Sequence, residues 1–226
     1  MNKLVIGLMA VSLVFHAMAG PEAAQAASVF VDNGNGTITD VNTGLMWEKK
    51  RKRTSSPVVC TNTSGSCADP HDADNQYTWT DGPCCAETDY DGTAVTIFLE
   101  QLNNRCSNDP SVSCTIDANC AVPGGACGFA GHRDWRLPTQ TELLGIVVSG
   151  AAPPAVASAF RGANCGTACT DLANPGCSCD ALSGYWSSVG DASVATDAWY
   201  VNTDGGSLLS GLKTGLNFVR AVRGGS

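Results

Sequence analysis

Charge is scarce in this chain. Only 15% of its 226 residues are charged, which leaves too few for the charged faces of a coiled coil. Histidine is nearly absent: with His16 inside an apolar N-terminal stretch, only His71 and His132 remain, so a serine-type triad has few bases to draw on. Basic residues are outnumbered, 13 Lys and Arg against 21 Asp and Glu, and the net charge of -8 argues against nonspecific binding to nucleic acid. After the first residues no stretch is apolar enough to span a bilayer, so no transmembrane anchor is expected. No repeat of 20 to 50 residues is present, and the Gly and Pro residues follow no collagen period.

What the chain does have begins at its N-terminus. Lys3, the apolar run Leu4 to Phe15 and the small residues of Ala17-Met18-Ala19 and Ala24-Gln25-Ala26 form the pattern of a secretory signal peptide over residues 1–26, with cleavage after Ala26 preferred to Ala19. Residues 27–226 then form one elaborated domain of about 200 residues, secreted to the periplasm or cell exterior and compatible with a place on the cell surface. All 12 cysteines (Cys60, Cys67, Cys84, Cys85, Cys106, Cys114, Cys120, Cys127, Cys165, Cys169, Cys177 and Cys179) lie beyond that segment. Even parity and export together imply disulfides throughout, with connectivity left open, local bridges favoured by clustering, and different partners expected for Cys84 and Cys85. A zinc reading of Cys165, Cys169, Cys177 and Cys179 fits poorly, because their spacing is not that of paired CxxC knuckles.

β-Branched and aromatic residues from Ser28 to Asp32 and from Thr37 to Trp47 flank Asn33-Gly34-Asn35-Gly36 and predict a β-hairpin. The basic run Lys49 to Arg53 reads as a solvated strand exit. Residues 54–92 read as a long stapled loop, and its Asp69, His71, Asp72 and Asp74 as a solvated acidic cluster lacking the calcium-loop register. Val95, Phe98, Leu99 and Leu102 fall on one face of a helix over 93–104. Cys106 to Cys127 is a disulfide-held insertion too polar for its own core. Thr139-Gln140-Thr141-Glu142 is a capping box that starts a second helix. Strands are predicted at Trp199 to Asn202 and Phe218 to Val222, with a turn at Asp204-Gly205-Gly206 between them.

Four segments in fixed order carry a resemblance: Phe30 to Thr37 with Thr43 to Trp47; Gly131-His132-Arg133-Asp134-Trp135-Arg136-Leu137-Pro138-Thr139 with Glu142-Leu143; Tyr185-Trp186-Ser187-Ser188; and Ala198 to Asn202 with Val219 to Gly225. Over residues 29 to 225 the chain resembles the Lcl C-terminal domain family, named for the end of a bacterial collagen-like adhesin. The resemblance implies an α+β, C-type lectin-like fold with two helices, short antiparallel strands and long disulfide-stapled loops that present a ligand face. The insertion 106–127 and the lack of a collagen-like stalk depart from the namesake, so stalk-based trimerisation is not implied. The Trp135 to Thr139 segment also looks like one in formylglycine-generating enzymes, but no matching reactive Cys segment accompanies it, and a shared fold does not transmit chemistry.

Trp47 and Trp135, and with less force Trp186 and Trp199, are expected in the core. Arg136 and Arg220 are expected in buried structural pairs, and His132 in a structural hydrogen bond. On an alternating strand with Trp199 and Val201 inward, Tyr200 and Asn202 would point to the loop face. The candidate ligand-binding residues are therefore Ser187, Ser188, Asp197, Tyr200, Asn202, Asp204 and Lys213. No catalytic residue is assigned, and nothing places Asp89 and Asp91 across a cleft as a glycosidase would need. No cofactor is expected. Calcium-mediated sugar binding stays open, although the Glu-Pro-Asn loop of calcium-dependent lectins is missing. The implied role is a secreted, adhesin-like module that binds a polysaccharide or cell-surface glycan. A protein-docking subunit of a surface assembly and a secreted hydrolase are the alternatives.

Overall fold

A computed structural model of the chain describes residues 29–52, 54–63, 66–82, 90–120, 125–163, 165 and 169–224. The signal-like segment, Cys84, Cys85 and Asp89 lie outside these residues. The architecture is mixed helix and strand, with the sheets mainly antiparallel.

The predicted hairpin is present: β1 (Phe30–Asp32) pairs antiparallel with β2 (Thr37–Asp40). Gly36 turns the chain at φ 88°, and a Cβ there would lie 2.9 Å from the ring of Phe129, so both conformation and space demand glycine. The second strand does not run on to Trp47 as expected. Asp40 accepts the N–H of Asn42 at 2.9 Å through its side chain and that of Gly44 at 2.8 Å through its carbonyl, folding a turn that sends β3 (Met46–Glu48) back along β2.

The 54–82 region contributes β4 (Val58–Val59) and β5 (Asn75–Gln76), paired in parallel. The predicted helix follows as a π-helical stretch, Ala94–Leu99, continued by α1 (Glu100–Asn103); Phe98, Leu99 and Leu102 are buried on its inner face. β6 (Arg105–Cys106) and β7 (Asp109–Ser113) open the Cys-rich insertion. In α2 (Gln140–Gly145) the capping box forms as read, with Glu142 Oε2 accepting the Thr139 N–H at 2.7 Å and the Thr139 hydroxyl oxygen accepting the Glu142 N–H at 3.3 Å.

Three strands, β8 (Gly184–Gly190), β9 (Asp197–Asn202) and β10 (Ser207–Leu212), form an antiparallel sheet in the order β10-β9-β8. β10 was not expected, because its Ser-Leu-Leu-Ser-Gly-Leu pattern does not alternate cleanly. The last strand, β11 (Val222–Arg223), pairs with β3, so the start and end of the domain share one sheet and Val222 sits opposite Trp47.

Two apolar cores lie on either side of the three-stranded sheet. Trp186 and Ala198 face one, with Tyr77, Trp79, Phe98, Leu102 and Trp135. Tyr185 and Val201 face the other, with Ile38, Trp47, Leu143, Phe160 and Phe218. Trp47, Trp135 and Trp186 are thus core residues as expected, whereas Trp199 is only half-buried. Arg220 is fully buried, donating to the carbonyls of Glu48 (2.8 Å) and Cys179 (2.6 Å) and lying 3.4 Å from Asp180. Arg136 is paired with Glu142 through both terminal nitrogens (2.7 and 2.8 Å), but at a half-exposed site rather than a buried one. His132 is half-buried, and the neighbouring Arg223 together with partial burial disfavours its protonation, burial being the larger cause.

The charged segments are corrected most. The run after β3 is solvated only in part: Lys49 and Lys50 are buried beside Glu48, while Arg51 and Lys52 stay partly exposed and Arg53 lies outside the described residues. Lys49 Nζ meets Asp32 at 2.5 Å and the Asn174 carbonyl at 3.0 Å, while Lys50 Nζ meets Glu48 at 2.9 Å and the Pro70 carbonyl at 2.7 Å. Nor is the acidic cluster free in solvent. Asp69 pairs with Arg51 (2.7 Å), Asp72 with Lys52 (3.3 Å), and the buried Asp74 accepts from Thr54 and Ser55. The two oppositely charged segments meet through Arg51 and Lys52, whereas the buried Lys49 and Lys50 are satisfied by Asp32, Glu48 and two backbone carbonyls.

Five disulfides close among the described residues: Cys60–Cys67, Cys106–Cys120, Cys114–Cys127, Cys165–Cys179 and Cys169–Cys177. No described cysteine is free. Both bridges of the insertion stay inside it, as local clustering predicted. No described helix is long and apolar enough to cross a membrane.

Candidate functional site

The seven residues proposed on the terminal sheet do not converge. Ser187 is fully buried, its hydroxyl accepting the Val189 N–H at 3.1 Å and its carbonyl taking the Trp79 indole N–H at 2.8 Å. Lys213 is buried as well, donating to the Ala195 carbonyl at 2.8 Å above the Trp79 ring, 4.9 Å from its centre. Tyr200 meets Trp186 edge-on at 5.7 Å and packs over Gly184 and Gly211 of the flanking strands. Ser188 is half-buried, its N–H bonded to the Pro138 carbonyl, and Asp197 accepts from the Thr196 hydroxyl. Asn202 closes the turn by accepting the N–H of the exposed Asp204 at 2.9 Å. The one-face argument fails because this sheet has a core on each side. Ala198 and Tyr200 face one core and Val201 faces the other, so Tyr200 packs against Trp186 and Lys213 over Trp79.

Side chains gather instead in a cleft of about 410 Å³ between the 69–71 segment, the end of α1 and the insertion. Phe129 supplies an aromatic wall, held by His71 (ring centres 4.2 Å apart) and Trp135 (5.3 Å). Arg51, Gln101 and Arg105 stand around it. Gln101 donates to the Cys67 carbonyl at 3.1 Å, and its Oε1 is a buried acceptor without a partner among the described residues. Arg105 is held by Glu100 (3.2 Å) and Ser113 (2.9 Å), yet its side chain keeps 30% of its surface exposed. The cleft therefore offers an aromatic ring and two fixed guanidinium groups, the groups that stack on and hydrogen-bond a polyhydroxylated ring.

A buried charge network supports this wall. His71 Nδ1 lies 2.8 Å from Glu48 Oε1, whose partner oxygen accepts the Ala221 N–H at 3.0 Å. Burial opposes ionisation of Glu48, but Lys50, the hydrogen-bonded His71 and the Ala221 amide outweigh it and hold its carboxyl below the usual range. Lys50 is pushed down by burial, an effect that Glu48 only partly offsets. At Asp69 burial is likewise overcome, chiefly by the Arg51 hydrogen bond, so it too stays below the ordinary carboxylate value. His71 is a structural wall residue here, oriented by a carboxylate.

Among the described residues, the groups of three or more His, Cys, Asp or Glu with ligand atoms within 4.8 Å of one another consist of cysteines already joined in disulfides. Asp69, Asp72 and Asp74 form no such group, being drawn apart by Arg51, Lys52 and Thr54. The zinc reading falls with the thiolates consumed.

Sequence reasoning missed the cleft because its lining comes from separate stretches around residues 51, 69–71, 101–110, 129 and 172, and no local pattern links them. The only signal was negative: a basic run and an acidic run close enough along the chain to pair.

The sequence model of the Lcl C-terminal domain matches residues 36–223. No curated protein and no solved structure matches the chain.

Proposed function

This chain belongs to the Lcl C-terminal domain family, and from that premise we propose that it is a secreted, adhesin-like binding module of the C-type lectin-like fold whose ligand is a polysaccharide or cell-surface glycan. The observation that carries the reading is the cleft over Phe129, where an aromatic ring and the guanidinium groups of Arg51 and Arg105 surround a space the size of a sugar unit or two. Guanidinium groups favour sugars bearing carboxylate or sulfate. Export is supported by the signal-like start and the disulfides.

The test is a glycan array followed by calorimetry with the mature chain. Arg105→Ala is expected to weaken binding about tenfold, the loss of one charge-assisted hydrogen bond, and added salt to weaken it further. Glu100, its partner, is solvent-accessible, so the fold should be unaffected. Unchanged affinity in Arg105→Ala would remove the cleft. Failure to bind any glycan, with capture of a surface protein instead, would favour the docking alternative.

A further inference from the structure

Four sulfurs meet in one place. Cys165–Cys179 and Cys169–Cys177 tie the same short segment, and the Sγ of Cys179 lies 3.4 Å from the Sγ of Cys169, a member of the other bridge. The sulfurs of Cys165, Cys169 and Cys179 all lie within 4.8 Å of one another. Two separate disulfides are thus in direct contact, with a sulfur of one 3.4 Å from a sulfur of the other. Access to them is unequal. Cys165 is exposed, whereas Cys169, Cys177 and Cys179 are at most 1% exposed, so a reductant in solution reaches one sulfur of the four.

We propose that this cluster is a thiol–disulfide exchange site, in which a dithiol reductant enters at Cys165 and the exchange is relayed to the buried Cys169–Cys177 bridge. A thiolate of the dithiol attacks Cys165 Sγ; the Cys165–Cys179 bond breaks and Cys179 leaves as a thiolate. Cys179 then attacks Cys169 Sγ, 3.4 Å away, forming a Cys169–Cys179 bond and releasing Cys177 as a thiolate that takes up a proton. The second thiol of the reductant resolves the mixed disulfide at Cys165, leaving the Cys165 thiol and the oxidised, cyclised reductant. Two electrons pass from the dithiol to the protein, one disulfide becomes two thiols, and the other changes partners. The buried bridge, which no external thiol can reach, is opened from within.

The position of the cluster gives the exchange a consequence. The Cys169 carbonyl accepts the Lys52 N–H at 2.8 Å and the Cys179 N–H donates to the Lys50 carbonyl at 2.7 Å, so the bridged segment clamps the buried charged run. Leu172, between them in sequence, lines the cleft together with Arg51.

The experiment is limited reduction of the folded, full chain with substoichiometric dithiothreitol, followed by acid quenching, alkylation with iodoacetamide and peptide mapping. The relay predicts label on Cys165 and Cys177 and a new Cys169–Cys179 cross-link. Label on Cys165 and Cys179 with Cys169–Cys177 intact, any other labelled pair in this segment, or no label there overturns it. In Cys165→Ser/Cys179→Ser the Cys169–Cys177 bridge should be reduced at least tenfold more slowly than in the unaltered chain; an equal rate overturns the relay too. If that variant fails to fold, the mapping of the unaltered chain decides alone.

Discussion

Lys50 shows what a single residue does in this molecule. Its ammonium is buried 4.2 Å from the centre of the Phe98 ring, and the Glu48 carboxylate and the Pro70 carbonyl are its polar partners. Replacing it with Met would leave Glu48 buried beside His71 with its main cation gone, so Lys50→Met should cost about 3 to 5 kcal/mol, the loss seen when one half of a buried pair is removed. Adding Glu48→Gln should restore part of that, and denaturant titration of the single and double variants checks both. Tyr200 makes the opposite point about function. It packs on Trp186 and two glycines and is remote from the cleft lining, so Tyr200→Ala should destabilise by about 2 to 3 kcal/mol, below a full core truncation, with glycan affinity unchanged. A stable Tyr200→Ala protein with weakened binding would return the site to the terminal sheet.

Among the elements, the insertion separates folding from binding. Its bridges Cys106–Cys120 and Cys114–Cys127 are internal, and among the described residues its links outward include the Arg133 guanidinium to the Thr115 carbonyl, the Arg105 guanidinium to the Ser113 hydroxyl and the Cys114 N–H to the Asn104 carbonyl. Replacing residues 106–127 with a short Gly-Ser linker should therefore preserve a single cooperative unfolding transition, since loop closure depends only weakly on length. Ser107 and Pro110 line the cleft, so the same variant should lose glycan binding. Loss of the transition in calorimetry would show instead that the insertion supports the core.

At the scale of the whole molecule, pH and redox state set stability. Burial pushes the Asp180 carboxyl up to about 6 despite Arg220 nearby. The native state then binds a proton that the unfolded chain, with its Asp near 3.8, gives up earlier, so this contribution is complete below about pH 3.8 and is lost as pH rises through about 6. A shift of that size corresponds to about 3 kcal/mol. Glu48, Asp69 and Glu142 are shifted the other way, and their stabilisation is present above the ordinary carboxylate range and lost as pH falls. The melting temperature should accordingly peak at mildly acidic pH, and Asp180→Asn should flatten the decline toward neutral pH; an unchanged slope in that variant would contradict the assignment. Thiol titration of denatured, unreduced protein should read near zero across the 12 cysteines, ten of which are already paired in the described residues.

Read alone, the sequence determined what depends on neighbours along the chain. The Asn-Gly turn after β1, the capping box at Thr139, the buried face of Phe98, Leu99 and Leu102 and the self-contained bridges of the insertion were all legible, because turns, caps and local loops are decided within a few residues. Family membership was legible for a related reason, being written in short segments in fixed order. Tertiary structure alone decided which polar groups are buried and where a ligand can sit. A lysine reads as solvent-exposed until its partner is known, and Glu48, Lys50 and His71 become partners only once β3 and the 69–74 segment are packed together. The alternation along Asp197–Asn202 could not reveal that both faces are covered, since a second core on the far side leaves no mark on the strand's own period. The cleft, assembled from five distant stretches, has no sequence of its own to read.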